Sequence, residues 1–167
     1  MEKEIIGSNT YVEIAGIQNI PAKIDTGADS TAIWASDIEV DKNGILKFKL
    51  FGPKSPFYTG ENIETGEYKA VFVRSSHGEE KIFYRTYLPI KIGQHNIKAL
   101  VNLADRSKNN FPVLIGRRTL VNRYIVDVSQ KEISIAKIAG TRSLKKELKE
   151  NPYKFHQKYF KNNGETK

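Results

Sequence analysis

Apolar and polar residues alternate over much of the chain, which is the pattern of β-strands with one buried face. Three pairs of such segments flank turn-forming residues and therefore predict hairpins: 70–73 with 81–84, 88–92 with 97–101, and 123–126 with 132–135. A further segment, 11–15, precedes an expected turn at 16–19 and the apolar run 20–24. Short strands at this spacing predict a mainly β fold, either a closed antiparallel barrel or a sandwich.

Helical signals are few. Residues 116–122 are expected to form one short helix. Near the end of the sequence, Ser143 can cap a turn in which Leu144 and Leu148 share a face. Asn151-Pro152 supplies the cap and first position of a second helix. We therefore expect a β-domain over residues 1–140 and a helical extension over residues 141–167.

The composition describes a soluble globular chain. Its 167 residues suit one domain with a real core, and 39% of them are hydrophobic and 28% charged. No apolar run approaches the ~20 residues of a membrane helix, and the N-terminus carries no secretion pattern, so a cytoplasmic location is expected. The absence of cysteine excludes disulfides and thiolate chemistry. No phosphate loop, dinucleotide-binding turn or nucleophile elbow is present, and no cofactor is expected.

Positive charge is concentrated in the C-terminal extension. The whole chain carries +8, but residues 141–167 contain eight Lys or Arg against three Glu. This excess suits an acidic partner or RNA, although a solvated helical appendage explains it equally well. No RNA-recognition motif accompanies it.

One tripeptide offers catalytic chemistry: Asp25-Thr26-Gly27, directly after the apolar run 20–24. A strand can deliver the carboxylate into a cleft, the glycine permits close backbone approach, and the Thr26 hydroxyl can hold the loop by hydrogen bonding. Peptide hydrolysis needs two carboxylates sharing one proton, so that one activates water while the other protonates the substrate carbonyl. By itself the tripeptide is more typical of a strand-ending turn than of a catalytic site. The histidines (His77, His95 and His156) are scattered and predict no zinc site.

A second element lies downstream, where the apolar strand Pro112-Val113-Leu114-Ile115 ends in Gly116-Arg117. With it, the chain resembles the retropepsin-like aspartic proteases, and most closely a bacterial group labelled "ATP-dependent zinc protease". The matching segments keep their order from about residue 9 to 136: Ala22-Lys23-Ile24-Asp25-Thr26-Gly27-Ala28 with Ser30, Val73-Arg74-Ser75-Ser76, Asn102-Leu103-Ala104-Asp105-Arg106, Phe111-Pro112-Val113-Leu114-Ile115-Gly116-Arg117-Arg118, and 123–127. The resemblance implies a small closed barrel, with two copies pairing to assemble one active site around Asp25 from each chain. The zinc of the group's label finds no ligand set in this sequence.

The resemblance also assigns roles around Asp25. It implies support of the active-site loop by Thr26, Gly27, Asp29, Gly116 and Arg117, and substrate contacts from Gly27, Ala28 and Asp29. Bacterial members of the group usually show Arg where this chain has Asp29, and His where it has Trp34. Asp29 instead matches the viral pattern, which implies an Asp29–Arg117 ion pair, the alternative being two unrelated surface charges.

Two further features bear on activity. The glycine-rich flap tip of the viral enzymes is absent, and Ser75-Ser76-His77-Gly78 predicts either a substitute flap or an ordinary hairpin. Pepsin-like enzymes place a hydroxyl residue where this chain has Ala28. Because alanine cannot donate a hydrogen bond to the ionised dyad, the dyad should hold its proton to higher pH. Activity nearer neutral than gastric pH is therefore expected.

The leading hypothesis is a homodimeric aspartic endopeptidase. The bacterial group often accompanies ATP-grasp ligases that add glutamate to peptides or to a ribosomal protein. The resemblance thus implies processing of such a target, with a ligase or ribosomal partner. The alternative is a catalytically silent binding module that acts on a ligase or the ribosome through its basic tail.

Overall fold

The computed structural model describes residues 2–134 and 144–161. The described residues fall into two compact units, one reaching Ile133 and the other starting at Ser134. The expected boundary after residue 140 lies outside the described residues. The first unit contains these elements: β1 (Glu4–Ile6), β2 (Asn9–Ile14), β3 (Ile17–Ile24), β4 (Thr31–Val40), β5 (Leu46–Leu50), β6 (Ile63–Thr65), β7 (Tyr68–Arg74), β8 (Glu80–Ile92), β9 (His95–Ala104), β10 (Val113–Ile115), α1 (Arg117–Leu120) and β11 (Tyr124–Val126).

Six strands of this unit close into a barrel. Their order is β10-β3-β2-β8-β9-β4, and β4 pairs again with β10, so the ring has no free edge. The predicted closed barrel is therefore confirmed, and the sandwich alternative is wrong. Strands β5 and β6 extend the sheet from β4, and β7 pairs with β8 outside the ring.

The barrel core follows from the alternating pattern of the strands. In β2 the side chains of Val12 and Ile14 are buried, while Tyr11, which precedes Val12, is exposed. Leu46, Phe48 and Leu50 of β5 are buried in the same alternation. Because successive side chains of a strand point to opposite faces, this spacing places one face of each strand in the core, where burial of apolar surface stabilises the fold.

Two of the three predicted hairpins are confirmed. Strand β7 pairs antiparallel with β8, and β8 pairs antiparallel with β9. Strand β8 serves both because it runs for 13 residues. The turn expected at 16–19, between β2 and β3, lies earlier in the structure, where the chain reverses at Ala15 and Gly16. Both residues have positive φ angles, 48° and 84°, as the tight primed turns of hairpins require.

The third predicted hairpin is wrong. Strand β11 pairs in parallel with β1 at the other end of the chain, and residues 131–134 form no strand. Instead, the Asn9 side chain accepts a hydrogen bond from the backbone N–H of Ile133 at 2.8 Å and donates one to its carbonyl at 3.0 Å. A side chain thus satisfies the backbone groups that a strand partner would otherwise bind.

Helices are few among the described residues. Helix α1 covers only four residues of the predicted 116–122. The second unit contains α2 (Leu144–Glu150), α3 (Pro152–His156) and a π-helical segment, Gln157–Lys161. The predicted Asn151 cap is confirmed, since its side chain accepts from the Lys154 N–H at 2.9 Å, whereas the Ser143 cap lies outside the described residues. No described helix is both long and apolar enough to cross a membrane.

Candidate active site

The Asp25 loop begins where β3 ends and lies against the end of β10. The two strands run parallel, with Val113 opposite Ala22 and Ile115 opposite Ile24. The backbone N–H of Asp25 donates to the Ile115 carbonyl at 2.9 Å. The two motifs separated by some 90 residues of sequence therefore meet, in the arrangement that the resemblance implied.

The Asp25 carboxylate is held by its own loop. Its Oδ1 atom accepts hydrogen bonds from the backbone N–H of Gly27 at 2.9 Å and of Ala28 at 3.2 Å. A Cβ atom at position 27 would lie 3.2 Å from Oδ1, so glycine permits this close approach. Oδ2 has no hydrogen-bond partner among residues 2–134 and 144–161. One oxygen is thus fixed by the backbone while the other is available to a ligand or a second carboxyl group.

Gly116, which follows β10, packs against the start of β4 and forms a hydrogen bond with it. A Cβ atom there would come within 2.5 Å of the Ser30 backbone, so no side chain fits without displacement. The Gly116 N–H donates to the Thr31 hydroxyl at 3.1 Å, and that hydroxyl shares a 2.7 Å hydrogen bond with Thr119. Both threonines are buried. Sequence reasoning missed them, because only the fold brings them beneath the loop.

Arg117 binds the backbone of the same loop. Its Nη1 donates to the carbonyls of Thr26 at 3.1 Å and Gly27 at 2.9 Å. Its backbone N–H donates to the Ala28 carbonyl at 2.8 Å. The expected ion pair with Asp29 is present at 3.7 Å, but Arg118 Nε lies closer, 2.9 Å from Asp29 Oδ2. The Thr26 hydroxyl has no hydrogen-bond partner within the described residues of this chain.

A cleft of about 730 Å³ opens beside the loop. One side is formed by the loop residues Gly27 to Ser30 and another by the β7–β8 hairpin, whose tip is Ser75-Ser76-His77-Gly78. The hairpin therefore borders the cleft through its two strands, and the tip residues are not among those that line it. The remaining lining residues come from β4, β9, the segment after β9, β10 and α1: Ala32, Asn102, Ala104, Asp105, Arg106, Leu114 and Arg117.

The cleft is strongly basic. It is lined by two carboxylates, Asp29 and Asp105, and by five cationic side chains: Arg74, Lys81, Arg85, Arg106 and Arg117. Burial lowers the pKa of Arg106 below its usual value, and the negative charge of Asp25 partly offsets this effect. Burial likewise lowers the pKa of Arg85, with repulsion from the neighbouring Arg118 as the second cause. Arginine keeps its charge in proteins, so both remain cations beside the loop.

Sequence reasoning did not assign roles to Arg85, Arg106 or Arg118. Arg106 and Arg118 lie within the segments that carried the resemblance, and this was the only signal for them. Arg85 had none, because a charged residue on an alternating strand reads as solvent-exposed. Among the described residues no group of three or more His, Asp or Glu side chains could hold a metal ion.

Known proteins match this chain over most of its length. The model of the RimB-like family, "Retropepsin-like aspartic endopeptidase RimB", matches residues 5–137. A solved structure with 25% identity, the Legionella pneumophila protein Lpg0085 of unknown function (DUF785), covers 78% of this chain and 97% of its own, with a TM-score of 0.59.

Two curated relatives are both named "Probable alpha-L-glutamate ligase". The one from Shewanella halifaxensis is 26% identical over 156 residues, and the one from Desulfotalea psychrophila is 24% identical over 130 residues. These matches cover 86% and 75% of this chain but 34% and 28% of the relatives. The chain therefore spans about a third of the length of the curated relatives it matches. The match of the family model over most of the sequence establishes that the chain belongs to the RimB-like family of retropepsin-like aspartic endopeptidases.

Proposed function

We propose that this protein is an aspartic endopeptidase whose catalytic dyad consists of Asp25 from two copies of the chain. The supporting observation is the Asp25 carboxylate itself, with Oδ1 held by two backbone N–H groups. The two carboxylates that line the cleft beside it are already engaged. Asp29 binds Arg118, and Asp105 accepts from the Ser107 N–H at 3.0 Å. A symmetry-related Asp25 is thus the natural second member of the dyad.

The reaction follows from two carboxyl groups that share one proton. The ionised Asp25 removes a proton from a water molecule as the water oxygen attacks the substrate carbonyl carbon. The protonated Asp25 of the other copy donates its proton to the carbonyl oxygen, which gives a tetrahedral diol. Proton transfer to the amide nitrogen then breaks the carbon–nitrogen bond and releases an amine and an acid. Gly27, Ala28 and Asp29 line the cleft beside Asp25 and would contact the peptide.

An acidic peptide is the substrate class that we propose. Five cations against two carboxylates in the cleft favour a negatively charged chain. The names of the curated relatives refer to glutamate ligation, which supports a glutamate-bearing product as the target. A ligase of the ATP-grasp class or a ribosomal protein is the partner that would carry such a product.

The test compares the native protein with Asp25→Asn on a library of acidic and neutral peptides. Asp105→Asn is the matched control, since it removes the charge of another cleft carboxylate. We expect native cleavage, unchanged cleavage within about threefold for Asp105→Asn, and a loss of at least about 10³-fold for Asp25→Asn. Equal cleavage by the native protein and Asp25→Asn would refute the aspartic mechanism.

Oligomeric state gives a separate test of the dyad. Light scattering after size-exclusion chromatography should show a dimer at the concentration used for the assay. Mixing native chains with an excess of Asp25→Asn chains should lower activity more than dilution alone does, because mixed dimers contain one carboxylate. A strictly monomeric protein with full activity would exclude the shared dyad.

A second candidate function is a binding module that acts through the basic helical unit. Residues 144–161 contain six lysines against Glu147 and Glu150, and Tyr153 and Phe160 are exposed. Such a surface fits an acidic protein or RNA. Deleting residues 141–167 should then weaken partner binding while leaving Asp25-dependent cleavage unchanged. Unchanged affinity after the deletion would remove this candidate.

A further inference from the structure

Arg85 is a buried cation that has no carboxylate partner. Its side chain lies in β8, the residue is 9% exposed, and it lines the cleft next to the Asp25 loop. No ion pair within 4 Å joins it to a carboxylate among the described residues. Its hydrogen-bond partners are neutral, since Nε donates to Asn102 Oδ1 at 2.7 Å and Nη2 donates to Ser30 Oγ at 2.7 Å. Arg118 repels its charge and Asp29 attracts it, but neither forms an ion pair with it.

The two neutral hydrogen bonds orient the guanidinium without neutralising it. A guanidinium has five N–H donors, and two of them are used here, which leaves three without a partner among the residues described. No buried side-chain nitrogen among the described residues lacks a partner, so Nη1, which makes none of these hydrogen bonds, is not fully buried. Burying a charge is costly unless it is paired, and a carboxylate of a ligand would supply the close pairing that no described residue provides.

The other cations of the cleft differ from Arg85. Arg74 binds Glu80 at 2.6 Å, and Arg117 lies near Asp29 and binds loop carbonyls. Lys81 is exposed near the tip of the hairpin. Arg106 is half-buried, donates through Nε to the Phe111 carbonyl at 3.1 Å, and is attracted by the charge of Asp25. Of these cleft cations Arg85 is the buried one, and its hydrogen bonds go to two neutral side chains.

We propose that Arg85 is a specificity-determining residue that binds a carboxylate of the substrate. A carboxylate accepts two parallel N–H bonds from a guanidinium, which matches the free donors of Arg85. This inference rests on the proposed function, because it names the side chain that recognises the peptide bound in the cleft. The carboxylate belongs either to an acidic side chain or to the C-terminus of the peptide, and both present the same chemistry.

The experiment measures kcat/KM for peptides that differ in one group. Each glutamate is replaced in turn by its neutral isostere glutamine, and each peptide is made with a free and with an amidated C-terminus. We expect one position at which the native protein prefers the carboxylate by about 10- to 100-fold. Arg85→Met should reduce that preference to about twofold or less, mainly through KM, and Arg85→Lys should restore part of it.

The matched control is Lys81→Met, which removes an exposed cation from the same cleft. It should lower kcat/KM for all acidic peptides by a similar, small factor. The preference for a carboxylate at the position that Arg85 recognises should stay unchanged. The inference is overturned if Arg85→Met is folded and retains the native preference, or if Lys81→Met removes it equally. Circular dichroism and the thermal midpoint establish whether each variant is folded.

A binding measurement on the full-length Asp25→Asn protein separates this inference from the proposed function. Tetraglutamate should bind, C-terminally amidated tetraglutamine, which carries no carboxylate, should bind at least about tenfold more weakly, and the Nε–H NMR signal of Arg85 should move only with tetraglutamate. Such binding without any cleavage by the native protein would refute the endopeptidase and leave the Arg85 assignment standing. Cleavage with no carboxylate preference would refute the Arg85 assignment and leave the endopeptidase standing. If Arg85→Met does not fold, the NMR signal in the Asp25→Asn protein still decides the question.

Discussion

Arg118 Nε donates a 2.9 Å hydrogen bond to Asp29 Oδ2, whereas the nearest ion-pair distance from Arg117 to Asp29 is 3.7 Å. The two arginines are adjacent in sequence but do different things, because Arg117 also binds two carbonyls of the Asp25 loop. The Asp29–Arg118 pair lies on the surface, with both side chains more than half exposed. Such pairs contribute at most about 1 kcal/mol and are screened by salt.

The first prediction separates these two roles. Arg118→Gln should change kcat/KM by less than about threefold and the free energy of unfolding by less than about 1 kcal/mol. Arg117→Gln should lower kcat/KM by about 10- to 100-fold, because it frees the Thr26 and Gly27 carbonyls and misplaces Asp25. Steady-state kinetics and urea unfolding measure both effects. Equal losses in the two variants would contradict the assignment.

Gly116 is predicted to tolerate no side chain. In Gly116→Ala the added methyl group would meet the Ser30 backbone at about 2.5 Å, and relieving the clash should cost about 1–3 kcal/mol. Gly66→Ala is the control, since a Cβ there would lie 3.7 Å from the Ile45 side chain, which is ordinary contact. Urea unfolding of both variants gives the comparison. A change within about 0.5 kcal/mol for Gly116→Ala would show that the strand can move away from the loop.

Ala28 predicts the pH dependence of activity. A hydroxyl group at this position could donate a hydrogen bond to the ionised carboxylate, which favours ionisation. The acidic limb of the kcat/KM profile should therefore move to lower pH in Ala28→Ser, by about 0.5 to 1 unit. The native profile should peak nearer neutral pH. A native optimum below about pH 3, under the ordinary range of an aspartic acid, would contradict this prediction.

Tyr124 predicts a loss of stability at alkaline pH. Burial raises the pKa of its phenol to about 12, with the charge of Glu4 as a second cause, and its hydroxyl donates to the Ile92 carbonyl at 2.8 Å. In the unfolded chain a tyrosine ionises near pH 10. The neutral phenol therefore stabilises the folded state fully below about pH 10, and this contribution is lost as the pH rises towards 12.

Urea unfolding at several alkaline pH values tests this prediction. Between pH 10 and 12, the free energy of unfolding of the native protein should fall by about 2–3 kcal/mol more than that of Tyr124→Phe. Tyr124→Phe should itself be about 1 kcal/mol less stable at neutral pH, since the Ile92 carbonyl loses its donor. Tyr11→Phe, at an exposed position of β2, is the control. Parallel stability curves for the native protein and Tyr124→Phe would contradict the prediction.

Local pattern alone determined most of the barrel and the position of its central loop. The alternation in β2, β5 and β8 is visible in the sequence, because a strand with one buried face must repeat every two residues. Asp25-Thr26-Gly27 and the strand ending in Gly116 were likewise visible, since both follow apolar runs. Their order along the chain was enough to indicate the family.

The tertiary structure decided which distant residues meet. Strand β11 pairs with β1 rather than with the residues that follow it, and no local pattern encodes a pairing between segments that are about 120 residues apart. The same holds for Arg118 beside Asp29 and for Thr31 and Thr119 beneath Gly116. Arg85 is the clearest case: in sequence it is a surface charge on a strand, and only the packing of β8 and β9 against the loop buries its guanidinium in the cleft.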